Sequence, residues 1–177
     1  MTLSCGELAG DAPLFVRIHS QCFTSEVFGS LRCDCRQQLD RAQEHIAELG
    51  RGLLIYLQQE GRGIGLANKI RAYNLQDDGA DTIEANHQLG FPDDLRDFSA
   101  AGQLLKQLDV RQIYLHTNNP EKIAAVEAAG IKVSEVVPSL TPPNIHNARY
   151  LQTKAQHMGH DTLRGLDFSP FVKSVNG

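Results

Sequence analysis

An unbroken apolar run, L-L-I-Y-L at residues 53 to 57, leads into Q-Q-E-G-R-G-I-G-L and then into A-N-K-I-R-A-Y-N-L-Q-D, a helical stretch stopped at Gly79. A run this short and apolar on every side chain reads as an interior strand. Strand, glycine turn and helix in succession predict an α/β chain with helices packed on a central sheet. The turn has the makings of a phosphate cradle, because glycines allow close backbone approach and a helix N-terminus offers free N–H groups. It matches neither the dinucleotide fingerprint nor the P-loop, since Gly61, Gly63 and Gly65 are spaced G-x-G-x-G. Glu60 and Arg62 within it either bind a base and a phosphate or pair with each other on the surface.

Other segments repeat the alternation. P-L-F-V-R-I, residues 13 to 18, reads as a strand that runs into His19, Ser20 and Gln21. Its Arg17 faces either a ligand or, on alternation alone, the solvated side of the strand. Leu39, Ala42, Ile46 and Leu49 form a helical stripe that stops at Gly50, with His45 beside it on the helix surface. Residues 81 to 98 are polar without helical period and read as a long binding loop containing Asp93, Asp94, Arg96 and Asp97. Asp97 or Ser99 then caps a helix through Leu104, Leu105 and Leu108. Q-I-Y-L-H is a strand, followed by a helix with Asn119 as cap, Pro120 first and Gly130 as stop. Thr117 and Lys122 give that helix start a hydroxyl and a cation, a second place for an anion. I-K-V-S-E-V-V is one more strand. A last helix is expected from A-R-Y-L-Q-T-K-A-Q-H-M-G-H, where His157 and His160 read as solvent-facing, and residues 161–177 read as a flexible tail.

Three of the four cysteines fall within C-F-T-S-E-V-F-G-S-L-R-C-D-C, residues 22 to 35. Thiolates so spaced suit Zn²⁺, and three of them leave the fourth position open, as catalytic zinc requires. Cys33 and Cys35 cannot share a helical face at a spacing of two, so a loop or extended turn after a strand is expected, with Gly29 and Ser30 letting it turn. The competing reading is three small apolar side chains in a reduced core. At 177 residues, 41% hydrophobic and 21% charged, the chain predicts one globular domain. A net charge of −4 argues against a general nucleic-acid binder. The absence of a membrane-length apolar run and of a signal-peptide pattern predicts no membrane partner and a cytoplasmic location.

Six stretches in order, R-I-H-S-Q-C, S-L-R-C-D-C, Q-E-G-R-G-I-G-L, N-K-I-R-A-Y, D-T-I-E-A-N-H-Q-L-G-F and T-N-N-P-E-K, resemble the GTP cyclohydrolase II family from about Gly6 to Gly159. The resemblance implies a single α/β domain over residues 1–160, with a mixed β-sheet flanked by helices. It implies Zn²⁺ on Cys22, Cys33 and Cys35, with water as nucleophile toward the imidazole carbon of guanine. It also implies release of formate, and of pyrophosphate with Mg²⁺ on the triphosphate. Nucleotide-contacting positions fall on Arg17, Ile18, His19, Ser20, Gln21, Gln38, Glu60, Gly61, Arg62, Thr82, Thr117 and Lys122. Asp94 matches a general base, Arg96 a nucleophile toward the α-phosphorus and Tyr73 a further catalytic position. A protonated guanidinium has no free lone pair, which makes a phosphate clamp the simpler role for Arg96. A homodimer is implied as well.

Two departures bear on this. Gln21 stands where the family carries Glu, and the chain starts some thirty residues later than family members usually do. Cys5 lies in that abbreviated segment, and a fourth thiolate from it would close the site. These features suit a paralogue acting on another purine nucleotide, or a zinc-stabilised nucleotide-binding module. Retention of the three cysteines with Asp94, Arg96 and Lys122 suits the enzyme.

Overall fold

The computed structural model describes residues 1–141, 146–148 and 151. The expected last helix, its two histidines and the 161–177 tail lie almost wholly outside the described residues. Among the described residues, five strands form one mixed sheet: β1 (Thr2–Cys5), β2 (Leu14–Ser20), β3 (Gly52–Leu57), β4 (Gln112–His116) and β5 (Lys132–Val137), in the order β1-β3-β2-β4-β5. Only β1 runs antiparallel, pairing Cys5 with Gly52, while β2, β3, β4 and β5 are mutually parallel neighbours. Parallel neighbours need crossovers, and helices supply them.

The helices are α1 (Phe23–Glu26), α2 (Cys35–Leu49), α3 (Gly65–Asp77), α4 (Thr82–Gln88), α5 (Ser99–Gln107) and α6 (Pro120–Ala128). Alternation within the strands divides the core in two. Leu14, Val16, Ile18, Leu53, Ile55, Ile113 and Leu115 meet Ala101, Leu105 and Val126 of α5 and α6. On the opposite face Phe15 and Leu54 meet Ala42 and Ile46 of α2. Leu49 ends the α2 stripe exposed, just before Gly50 turns left-handed with φ 63°. His45 stays on the surface side, its ring 4.6 Å from that of Phe15.

Because helices cover both faces, β2 is buried from Leu14 to His19. Arg17 therefore does not take the solvated side that alternation alone offered it; the residue is 3% exposed and its guanidinium bonds to Gln38 of α2. The supposed loop at 81 to 98 also contains α4. Asp81 accepts from the backbone N–H groups of Ile83 and Glu84, and the Glu84 carboxylate accepts from Asp81 N, a complete capping box. That local bonding offsets the weak apolar period of T-I-E-A-N-H-Q. No helix among the described residues is long and apolar enough to cross a membrane.

Candidate metal centre

The cysteine segment begins where β2 ends. Cys22 precedes the single turn α1, Cys33 lies in the loop beyond it, and Cys35 is the first residue of α2. The loop doubles back through Gly29 at φ 69° and a Ser30 N–H bond to Thr24 O of 2.9 Å. In consequence the three Sγ atoms lie within 4.8 Å of one another, with Cys22 and Cys33 3.5 Å apart. Tetrahedral Zn²⁺ with bonds of about 2.3 Å places its sulfurs about 3.8 Å apart, so the donor set fits and leaves one position open. Cys5 takes no part. Its β1 position pairs with the start of β3, about 16 Å of strand from the end where the thiols gather.

The three thiols differ in acidity. Hydrogen bonds from Cys33 and Cys35, then the nearby Lys69 ammonium, hold the Cys22 thiol far below its usual range. Facing Cys22 in return raises Cys33 and Cys35. Lys69 Nζ lies 3.0 Å from Cys22 Sγ and 2.7 Å from Glu60 Oε1. Burial works against its charge, but the Cys22 thiolate, Tyr73 and Glu60 together raise it above its ordinary value.

Two carboxylates, one buried and one partly buried, brace the loop. Asp34, between two of the cysteines and 1% exposed, accepts from Gln38 Nε2 at 2.5 Å and Thr141 Oγ1 at 2.7 Å. Gln38 Oε1 accepts in turn from Arg17, whose other terminal nitrogen donates to His116 O at 3.0 Å. Burial lowers the Arg17 guanidinium to about 10, against opposing pulls from Asp34 and Cys35. Glu26 accepts from Cys22 N at 2.9 Å, His19 Nε2 at 2.8 Å and Tyr56 OH at 2.5 Å. Burial disfavours its charge, yet the bonds from His19 and Tyr56 keep it below the usual carboxylate range.

The thiols open into a cleft shared with Ser20, Gln21, Glu60, Gly61, Arg62, Tyr73, Thr82 and Arg96. From α3 the lining residues are Lys69, Ala72, Tyr73 and Gln76, the i, i+3, i+4, i+7 face of one helix. The glycine turn forms another wall, with Gly61 at φ 62° and Arg62 at φ 59°. A left-handed non-glycine residue costs roughly 1–2 kcal/mol, a strain characteristic of functional sites. A Cβ on Gly63 would come within 3.1 Å of the Leu95 backbone carbon. The missing side chain lets Leu95 N reach Arg62 O at 3.0 Å, next to Arg96, which lines the cleft; the expected general base Asp94 is absent from that lining and stands behind Arg96 as its partner.

Glu60 is paired with Lys69, and both terminal nitrogens of Arg62 are buried without a hydrogen-bond partner among the described residues. Arg96 forks onto Asp94, with Nε–Oδ1 2.9 Å and a second nitrogen 2.5 Å from Oδ2. The Tyr73 hydroxyl is 3.4 Å from Thr24 Oγ1, itself 3.7 Å from Cys22 Sγ; burial raises the Tyr73 phenol.

Six residues expected at the nucleotide, Arg17, Ile18, His19, Gln38, Thr117 and Lys122, are absent from this lining among the described residues. Ile18, His19, Thr117 and Lys122 are buried behind it. Thr117 Oγ1 accepts from Asn119 N, and Lys122 Nζ donates to Ile18 O at 2.8 Å. The start of α6 thus has its hydroxyl and its ammonium engaged by the protein itself. Conversely, Lys69, Glu26 and Asp34 adjoin the site without having been singled out from sequence. Asp34 and Glu26 were signalled by carboxylates inside a cysteine loop, and Lys69 by its helical spacing of four from Tyr73.

Fold and site together define an α/β protein whose three-cysteine cluster, able to hold a metal, sits in a cleft at the carboxyl ends of parallel strands, where open α/β sheets bind ligands. Sequence comparison agrees: the model of the family GTP cyclohydrolase II matches residues 1–138. The chain belongs to this family. It is 54% identical over 158 residues to GTP cyclohydrolase-2 of Aeromonas hydrophila, covering 89% of this chain and 80% of that protein. Identity to GTP cyclohydrolase-2 of Klebsiella pneumoniae is 53% over 160 residues, covering 90% and 80%. Riboflavin biosynthesis protein RibBA of Chlorobium phaeovibrioides is 54% identical over 155 residues, covering 88% of this chain but 38% of that longer protein.

Proposed function

We propose that this chain is a zinc-dependent GTP cyclohydrolase II, which hydrolyses GTP to a diaminopyrimidinone ribosyl phosphate, formate and pyrophosphate in riboflavin biosynthesis. The observation that carries this reading is the convergence of three cysteine thiols on the cleft lined by Arg62 and Arg96. A base-opening centre and anion-binding groups share one chamber. Zn²⁺ held by Cys22, Cys33 and Cys35 supplies Lewis acidity that makes water nucleophilic at neutral pH.

The remaining chemistry belongs to side chains. Arg62, with its terminal nitrogens unpaired among the described residues, takes a phosphate oxygen pair. Asp94 fixes the plane of Arg96, which acts as a phosphate clamp, since a guanidinium forked onto a carboxylate keeps its proton. Capture of a phosphoramidate-linked nucleotide on Arg96 would instead assign it the nucleophilic role. Tyr73 stays protonated and donates toward the base. Ser20, Gln21, Gly61 and Thr82 contact the nucleotide from the cleft wall. Arg17, Ile18, His19, Gln38, Thr117 and Lys122 act from behind that wall, holding the strand ends and the cysteine loop in place.

Mg²⁺ accompanies the triphosphate, whose charge a chain of net −4 does not offset by itself. The protein works as a cytoplasmic homodimer, which sedimentation velocity and fractionation test. The deciding experiment incubates zinc-loaded protein with GTP and Mg²⁺ and quantifies formate and pyrophosphate in the same tube. Equal amounts are expected. GTP bound without either product overturns the reading in favour of a binding module or another purine substrate. Cys33→Ser is expected to abolish formate release while sparing pyrophosphate release, because the thiolates serve the ring chemistry.

A further inference from the structure

The N-K-I-R-A-Y stretch places one charged side chain where the proposed reaction has no stated use for it. Lys69 projects from the second turn of α3, its side chain 12% exposed, between two anions. One is the Cys22 sulfur at 3.0 Å, and the other is the Glu60 carboxylate at 2.7 Å. Glu60 is a junction in its own right. Its Oε2 accepts from Phe23 N at 2.6 Å, next to the metal-binding Cys22, and its Oε1 accepts from Gly61 N at 2.9 Å. The cysteine loop, the glycine turn and α3 therefore meet on one ammonium–carboxylate pair.

We propose that Lys69 is a positioning residue for the metal centre, donating to the Cys22 sulfur while fixing Glu60 and, through it, the backbone of the cysteine loop. Charge favours this arrangement. Three thiolates around a divalent ion leave one net negative charge in a partly buried site, and an ammonium at hydrogen-bond distance offsets it. A donor on a ligating sulfur also withdraws electron density from the metal–sulfur bond and orients the sulfur, as outer partners of metal ligands do elsewhere. The arginines of the cleft lie on other segments, so loss of Lys69 acts on metal retention and ring opening rather than on phosphate binding.

The inference rests on the cyclohydrolase reading only for its catalytic consequence; two readouts need no nucleotide. Zn²⁺ affinity is measured by competition with a chromophoric chelator, and the thiolate-to-metal charge-transfer band is recorded on the Co²⁺-substituted protein. Lys69→Met is expected to raise the Zn²⁺ dissociation constant about ten- to a hundredfold. It should also move the band to longer wavelength, because the sulfur loses its donor. Lys69→Arg, which keeps a cationic donor, should recover both in part. A folded Lys69→Met protein with wild-type Zn²⁺ affinity and an unmoved band overturns the proposal. Should the Met variant fail to fold by circular dichroism, Lys69→Gln carries the test with its shorter neutral amide, and unchanged Zn²⁺ affinity there overturns it equally. Wild-type protein that releases no formate refutes the cyclohydrolase reading while leaving both metal readouts in force.

Discussion

His116 makes acid stability a sharp test of how the polar layer beneath α2 is built. It ends β4 at 7% exposure, and its Nδ1 is buried without a hydrogen-bond partner among the described residues. Burial, and then the Arg17 cation, push its pKa down to about 3 from the ordinary 6.5. Protonation of the folded protein is thus resisted, while the unfolded chain takes up a proton near pH 6.5. Between those values the unfolded state binds more protons, so acid favours it. The contribution is complete above pH 6.5 and is lost as the pH falls toward 3. Integrated from pH 7.5 to pH 5, the loss is about 2 kcal/mol. The assay compares wild type with His116→Phe by urea unfolding at the two pH values. Phe keeps the ring contact with Phe15, whose centroid lies 5.6 Å away, and removes the titration. Zinc loss and the other titrating groups act on both proteins and cancel in the difference. The variant should therefore be less acid-sensitive than wild type by about 2 kcal/mol. Equal losses in the two proteins would refute the claim that burial keeps this imidazole neutral.

Glu60→Gln should destabilise the protein by about 3–5 kcal/mol, because it leaves the largely buried Lys69 ammonium without its carboxylate and sets an amide NH2 against one of the Phe23 and Gly61 N–H groups. Calorimetry should register this as a fall in Tm of about 10 °C. Gly102→Ala pits helix propensity, worth about 1 kcal/mol in favour of Ala, against a Cβ placed 2.6 Å from Ala129 Cβ and 3.0 Å from Ala125 O. Overpacking of about 1–3 kcal/mol should win, and stabilisation in urea titrations would show that α5 and α6 separate easily. Arg62→Ala should raise KM for GTP about tenfold or more, the loss of a charge-assisted bond pair, with the formate-to-pyrophosphate ratio unchanged. A changed ratio would place Arg62 at the ring chemistry instead.

Most of the layer plan was legible because it depends on local period. The apolar run at 53–57 became β3, the stripe Leu39-Ala42-Ile46 became the buried face of α2, and Asn119-Pro120 marked the start of α6. Two of the elements that escaped did so for opposite reasons. The strand Thr2–Cys5 has an exposed or half-exposed pattern that mimics a terminal coil, and its pairing with β3 is a long-range fact. Helix α4 was written locally after all, in the capping box of D-T-I-E, but its polar composition outweighed the cap in a reading based on apolar period.

The site divided differently. The gathering of Cys22, Cys33 and Cys35 into a set able to hold a metal was readable from their spacing, because thiols so close in sequence meet in any fold whose loop turns between them. Partner choice was not readable, because it is decided by which face of the sheet receives a helix. Strand alternation puts Arg17 and His19 on the face of Phe15, and only the seating of α2 over that face turns Arg17 from a cleft cation into a buried tie to Gln38 and Asp34. The turn shows the same dependence: Glu60 had two cations within a short reach in sequence, and α3 settled the choice by presenting Lys69 one helical turn past Gly65. Arg62, left without that carboxylate, lines the cleft while its terminal nitrogens stay buried and unpaired among the described residues. The unpaired arginine and the braced cysteine are thus two results of one pairing, which commits Glu60 to the cysteine loop, so loss of Lys69 should register at the metal while phosphate binding persists.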